Sequence, residues 1–295
     1  MPYFMDKPLV VASPNGTVTF NDPGSIGDLS DADEAWIDVF DGWTATVTPV
    51  VVQSQKPIGD GGYLAKKLYA QGRTLNVEGM IATDDELGTE NAWNDLVFRA
   101  FPLNEDLTIT HQGPGVSKFV TARVISPIKP TQWMPNGFRF SLDLFCEDPY
   151  KYDSVNTLFG TAGMVGDSSG GMTFPLTFPI VFNGTAAGAG NQIIINNIGT
   201  ADTYPVFTVF GQLDSGWRIE NETTGDFLSF DTDTNALSTM VIDSKAETAT
   251  VDGSPITGLV DGDFFALKPG VNVLKLFGNF YPATTWTVSA KSAWR

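Results

Sequence analysis

The sequence predicts a mainly β protein built from two β-sandwich-like domains. Three observations predict it: short apolar runs of period two, strong turn signals between them, and a Gly/Ser-rich break near the middle. The 295 residues include 30 Gly, 18 Pro, 21 Phe and 7 Trp, and only 17% are charged. Many turns combined with many aromatics is the composition of short packed strands. A chain of this length has room for two cores.

In the N-terminal half, strands are expected at 9–12, 17–20, 36–40, 44–52, 74–82, 107–110, 118–125 and 138–146. The last is the clearest. Phe138, Phe140, Leu142, Leu144 and Cys146 alternate with Arg139, Ser141 and Asp143, the pattern of a half-buried strand. Phe145 interrupts the polar side. One segment changes period: Trp93, Leu96, Val97, Ala100 and Phe101 form the apolar stripe of an amphipathic helix. Thr83-Asp84-Asp85-Glu86 fits a capping box before it, and Pro102 stops it. Gly88 weakens the first turn, so the regular helix is expected from about Thr89.

Residues 160–172 are rich in Gly, Ser and small side chains and read as a linker. This divides the chain into an N-terminal domain, 1–159, and a C-terminal domain, 173–295. A second Gly/Ala stretch, 184–190, reads as a loop of the second domain. Strands there are expected at 192–196, 206–210, 217–220, 227–230, 240–243, 249–251, 264–267, 271–277 and 286–290. Asp252-Gly253 is the signature of a tight type I′ hairpin, and Pro269-Gly270 suits a type II turn. No internal repeat relates the two halves.

The net charge is −17, with 20 acidic and 10 basic residues in 1–150 and 14 and 7 in the remainder. Acidity spread this evenly argues against binding to a nucleic-acid backbone, which needs clustered Lys and Arg. No apolar run approaches a membrane span, and no secretory leader is evident at the N-terminus. The glycosylation-like triplets at Asn15, Asn183 and Asn221 therefore read as chance.

Catalytic sets are missing from the sequence. The one histidine, His111, precedes Gln112-Gly113-Pro114-Gly115 and reads as a strand-end or loop residue without an orienting acid or nucleophile. The one cysteine, Cys146, lies on the apolar side of its strand. One His and one Cys do not make a zinc site within one chain. Asp231-Thr232-Asp233 is the nearest approach to calcium spacing, but lacks the glycine and distal glutamate of an EF-hand loop. No cofactor, metal or enzymatic activity is expected.

The order of several weak motifs carries a resemblance. In the N-terminal half they are Gly61-Gly62-Tyr63, Gly72-Arg73-Thr74-Leu75, Val77-Glu78-Gly79, the Trp93–Phe101 stretch, Ala122-Arg123, and Phe145-Cys146-Glu147-Asp148-Pro149 with Tyr150-Lys151-Tyr152. In the C-terminal half they are Asn197-Ile198-Gly199-Thr200-Ala201, Tyr204-Pro205, Asn221-Glu222-Thr223-Thr224-Gly225, Val241-Ile242-Asp243, Val251-Asp252-Gly253, Leu267-Lys268-Pro269-Gly270 and Ser292-Ala293-Trp294. With these the chain resembles the distal tail proteins of long-tailed, non-contractile bacteriophages.

The resemblance implies an N-terminal split-barrel domain with one helix that forms a hexameric ring, and a galectin-like C-terminal β-sandwich outside it. It implies a tail-tip hub in the virion, made in the host cytoplasm. That hub joins the tail tube protein to the tail-tip lysin or hub protein, with the tape-measure protein as a further partner, and leaves a channel for DNA. Trp36, Trp43, Trp133 with its loop 129–136, and Arg73 are the expected ring or tube contacts. The alternative is a carbohydrate-binding adhesin, for which Trp217, Arg218 and Glu220 are the candidate glycan contacts. The second domain contains no histidine, a residue that sugar-binding galectins use.

Overall fold

The structure is a computed structural model that describes residues 7–22, 29, 32–50, 54–55, 62–63, 69–113, 115–163, 191–279, 281 and 283–295. The expected linker beyond Gly163, the stretch 184–190, Asn183 and Gly61 lie outside the described residues. The chain divides into two compact units, Met1–Val155 and Asn156–Trp294.

The first unit is antiparallel throughout. β1 (Leu9–Ser13) and β2 (Gly16–Phe20) form a hairpin, and β1 also pairs with β9 (Leu107–His111). The path then reaches β10 (Lys118–Val124), which serves two neighbours in succession. Its residues 118–122 pair with β9, while Arg123 and Val124 pair with Phe145 and Leu144 of β12 (Gly137–Cys146). One strand thereby bends from one sheet into a second, β11-β12-β8-β3. Its other members are β3 (Ala32–Asp41), β8 (Arg73–Thr83) and β11 (Lys129–Met134). Between β3 and β8, β4 (Pro49–Val50) pairs with β7 (Tyr69–Ala70) and, nested inside, β5 (Ser54–Gln55) with β6 (Gly62–Tyr63). Beyond β12, β13 (Lys151–Asp153) adds to β10.

The period-two pattern of 138–146 holds. Phe138, Phe140, Leu142, Leu144 and Cys146 are buried, and Phe145 is exposed on the opposite face. Gly79 is required where β3, β8 and β12 meet: a Cβ there would lie 2.5 Å from the Trp36 carbonyl oxygen and 2.7 Å from the Phe140 ring.

The helix α1 (Glu86–Asp95) starts earlier than expected. Its N-cap is Asp85, whose carboxylate accepts the Gly88 amide at 2.7 Å, a contact worth about 1 kcal/mol. Thr83 does not cap; its hydroxyl bonds that of Thr89 at 2.7 Å. Residues Leu96–Ala100 continue as a π turn closed by Phe101 N–H on the Leu96 carbonyl at 3.0 Å. Ala92, Leu96, Ala100 and Phe101 enter one core with Phe20, Phe138 and Phe140, whose rings lie 6.1–6.4 Å apart.

The second unit is a sandwich of two antiparallel sheets. The six-stranded sheet runs β14-β24-β16-β19-β20-β21. These are Leu158–Gly163, Thr285–Ala290, Val206–Phe210, Thr239–Asp243, Thr248–Val251 and Ser254–Pro255. The five-stranded sheet runs β15-β23-β17-β18-β22. These are Gln192–Asn197, Gly270–Phe277, Trp217–Asn221, Asp226–Phe230 and Val260–Gly262. Residues Gly160–Gly163, read as linker from their composition, are therefore ladder residues of β14, paired with Val288 to Thr285. Small side chains suit this position because Gly160 packs on Ile193, whose methyl fills the space a Cβ would take. Asp252 (φ +48°) and Gly253 (φ +80°) make the expected I′-type hairpin.

Several motif residues of this unit fix turns. The Asn197 side chain accepts the Gly199 amide at 3.0 Å and donates to the Ala201 carbonyl at 2.8 Å. Gly199 lies against the Ala293 backbone with no room for a Cβ. The buried Asn221 and Asn272 amides bond each other at 3.1 Å.

Candidate assembly surfaces

Register decides which of the singled-out residues share a surface. Trp36 sits opposite Met80, Met80 opposite Arg139, and Arg139 opposite Gln132, so these four share one face of the sheet. The next row is Ala35, Ile81, Phe138 and Trp133, on the other face, where Ile81 and Phe138 are buried in the core. Trp36 and Trp133 therefore stand on opposite faces and make no common patch. Trp36 is half-buried and donates its indole N–H to Glu34 at 3.1 Å. Arg139 on the same face pairs with Asp38 at 2.8 Å.

Trp133 is 46% exposed. It stacks on Phe138 (5.6 Å, 14°) and meets Trp93 edge-on at 5.8 Å, at the open margin of the core. Its segment was expected as a loop but is the strand β11. Lys129 to Trp133 are all exposed, and Met134 is half-buried. A strand exposed on both faces and paired on one edge alone, among the described residues, is a template for another chain. Leu87 and Phe98 on the outward side of the helical segment are also exposed. They were missed because they lie off the apolar stripe; large apolar side chains off the stripe are the signal that would have found them.

Arg73 is not a surface residue. It is 7% exposed; its Nη1 and Nε donate to main-chain carbonyls, and its Nη2 is buried with no hydrogen-bond partner among the described residues. Nη1 donates to Gly42 (2.7 Å), Trp43 (3.0 Å) and Ala45 (2.9 Å), and Nε to Pro149 (3.0 Å). Lys151 Nζ donates to the same Trp43 oxygen at 3.0 Å. Burial lowers the pKa of the Arg73 guanidinium. Burial first, then repulsion from Arg73 and Lys118, lowers Lys151 to about 8. These two cations tie the end of β3, the start of β8 and the segment after β12 into one knot. The sequence offered Arg73 as an interface residue; nothing local announces four carbonyls converging from distant segments.

His111, expected near the surface, is 6% exposed and packs on Trp43 with ring centroids 5.7 Å apart. Burial pushes the Cys146 thiol up to about 12, so it is no nucleophile at neutral pH.

In the second unit Trp217 is fully buried, stacked on Phe230 at 4.1 Å, and cannot reach a glycan. Strand alternation puts Arg218 and Glu220 on the outer face, where they pair at 2.9 Å. Arg218 also lies over the Phe277 ring at 4.6 Å, and Lys275 over the same ring at 4.8 Å. This outer face is one of paired ions. Asp231 and Asp233 both bond Ser215, and the described residues hold no cluster of three metal-ligating side chains. Among the described residues no helix is long and apolar enough to cross a membrane.

Residues 198–290 match the family model of the siphovirus-type tail component, C-terminal domain. The fold is similar to the crystal structure of SPP1 Dit (gp 19.1), described as a paradigm of the hub adsorption apparatus in phages infecting Gram-positive hosts. That match has TM-score 0.63 and 15% identity, over 96% of this chain and 98% of that one. Two structures of the phage P2 baseplate in its activated conformation, with Ca and with Sr, match at TM-scores 0.47 and 0.45. Their identities are 9% and 10%, over 96% of this chain and 97% of each of theirs. No curated protein matches the chain.

Proposed function

We propose, from a chain that resembles the Dit proteins in fold and in its C-terminal family match, that this is a structural hub of a phage tail tip. In this reading six copies close into a ring through the first unit. The ring joins the tail tube protein to the tail-tip lysin or hub protein, meets the tape-measure protein, and lets DNA pass. The protein turns over no substrate and has its place in the virion.

The observation that carries the assembly role is β11. Its two exposed faces, its single paired edge among the described residues and the half-exposed Trp133 leave a strand with little burial of its own. A closed ring needs two different patches meeting head to tail, and Trp133 is the anchor type that such patches use. A net charge of −17 suits a passage from which DNA is to slide freely.

Electron microscopy of the purified protein tests the reading. A six-fold annulus is expected, alone or with the tail-tip neighbours. A chain that stays monomeric at high concentration with those neighbours present overturns the ring. Loss of turbidity when the protein is added to host cell walls overturns the purely structural role.

A further inference from the structure

The first unit uses one turn sequence twice. Ser13-Pro14-Asn15-Gly16 joins β1 to β2, and Met134-Pro135-Asn136-Gly137 joins β11 to β12. In each, the residue before the proline pairs with the glycine, and the glycine has nearly the same backbone, φ +147° at Gly16 and +143° at Gly137. Proline at the second position and glycine at the fourth suit a type I turn. Both asparagines are exposed. An Asn-Gly step is chemically labile, because glycine has no Cβ to keep its nitrogen away from the preceding carboxamide.

The two carboxamides are held differently. Asn15 Nδ2 donates to the Phe98 carbonyl at 2.8 Å, at the carbonyl end of the helical segment, and its main-chain N–H donates to Ser13 Oγ at 3.1 Å. Asn136 is anchored through the main chain. Its carbonyl accepts the Thr83 amide at 3.1 Å, and the Pro135 carbonyl beside it accepts the Thr89 hydroxyl at 3.2 Å. The Asn136 carboxamide itself stands in solvent.

We propose that Asn136 is a site of spontaneous deamidation, and that its bond to Phe98 protects Asn15 in the matching turn. The Gly137 nitrogen attacks Asn136 Cγ, and the new N–C bond closes a cyclic imide. The amide nitrogen's proton leaves with the carboxamide nitrogen as ammonia. Water then opens either C–N bond of the imide, giving an aspartyl or an isoaspartyl linkage. The step is intramolecular, so its rate follows how often the carboxamide carbon reaches the next nitrogen. The Pro-Asn-Gly turn is common to both sites, so its own effect on the rate cancels in the comparison. Asn15 must first give up its bond to Phe98, and a hydrogen bond of ordinary net strength slows it about fivefold. Its product is penalised as well: a carboxylate cannot donate to the Phe98 carbonyl and sits at the negative end of the helix dipole. At Asn136 the isoaspartyl product lengthens the turn by one methylene and takes the carbonyl that accepts the Thr83 amide out of the main chain. The product therefore loosens the turn that holds β11, whose pairing among the described residues is with β12 alone. This chemistry does not rest on the ring, and either can fail alone.

The test holds the full chain folded at mildly alkaline pH and digests samples over time. Mass spectrometry reads the amide-to-acid mass shift and the isoaspartyl linkage at each Asn-Gly step. Asn136 is expected to convert about fivefold faster than Asn15 or more, and the two rates to converge in urea, where the bond to Phe98 is gone. The aged protein should melt roughly 2 °C lower or more than the fresh one, and Asn136→Gln should remove that drop. If that variant does not fold, the fall in midpoint is followed against conversion at Asn136 in the native chain. Asn15 converting as fast as Asn136 in the folded protein overturns the proposal. So does a ratio that persists in urea, which puts the cause in the flanking sequence. An Asn136 that stays intact while the urea-treated chain converts, or full conversion at Asn136 with unchanged melting, overturns it too.

Discussion

Arg73 and Lys151 show how buried charge can be structural without a carboxylate. Four carbonyl oxygens from Gly42, Trp43, Ala45 and Pro149 converge on one guanidinium, which presents its donors as a rigid planar fork. Removing it strands those acceptors, and each buried unmet acceptor costs about 1–3 kcal/mol. Arg73→Ala is therefore expected to lower unfolding stability by about 3 kcal/mol or more in denaturant titration, and Arg73→Lys to recover only part of it. Unchanged stability together with a lost oligomer would restore Arg73 to an interface. Lys151 adds a pH signature. The folded protein holds this proton less tightly than the unfolded chain, at about 8 against 10.5. Unfolding therefore takes up a proton between those values, and stability rises with pH across that window. The melting temperature should climb from pH 7.5 to 9.5 in the native protein and stay flatter in Lys151→Met, measured side by side in the same buffers.

At the level of elements, β11 and the helical segment are where sequence and structure part. The alternation of β12 was legible because its apolar period reports burial directly: Phe138 and Phe140 face a core and Arg139 does not. In β11 both faces are wet, so no period exists to read, and its prolines argued further for a loop; the bulge beside Pro130 is visible only in the structure. The helical stripe was legible: Leu96, Ala100 and Phe101 are buried as it expects and Phe98, off the stripe, is exposed; that Leu96–Ala100 is a π turn was not legible. Trp133→Ala is expected to cost the monomer only about 1 kcal/mol, the scale of one aromatic pair, yet to shift the oligomer toward monomer by roughly tenfold in light scattering. Equal loss of monomer stability and assembly would make Trp133 a core residue. Asp85→Ala should lower stability by about 1 kcal/mol through the lost N-cap, and Thr83→Ala should not act through capping.

For the whole molecule, the unit boundary carries a practical consequence. β14 belongs to the second unit, where it closes the edge of the six-stranded sheet against β24. A fragment 156–295 is expected to unfold cooperatively. A fragment 173–295 lacks that edge strand, uncovers the flank of a sheet holding Trp286, and should melt roughly 5 °C lower or more. Equal midpoints in calorimetry would show that β14 contributes nothing. The sequence by itself determined the mainly β class and the helix that ends before Pro102. These depend on local period, turn chemistry and residue inventory, which one strand or one turn can express. Only the tertiary structure decided that Gly160–Gly163 is a strand, that Arg73 is inside, that Trp217 is core, and that Trp36 and Trp133 face opposite ways. Each of those depends on which distant backbone arrives beside a residue, and register across a sheet is a relation between segments that no single segment encodes.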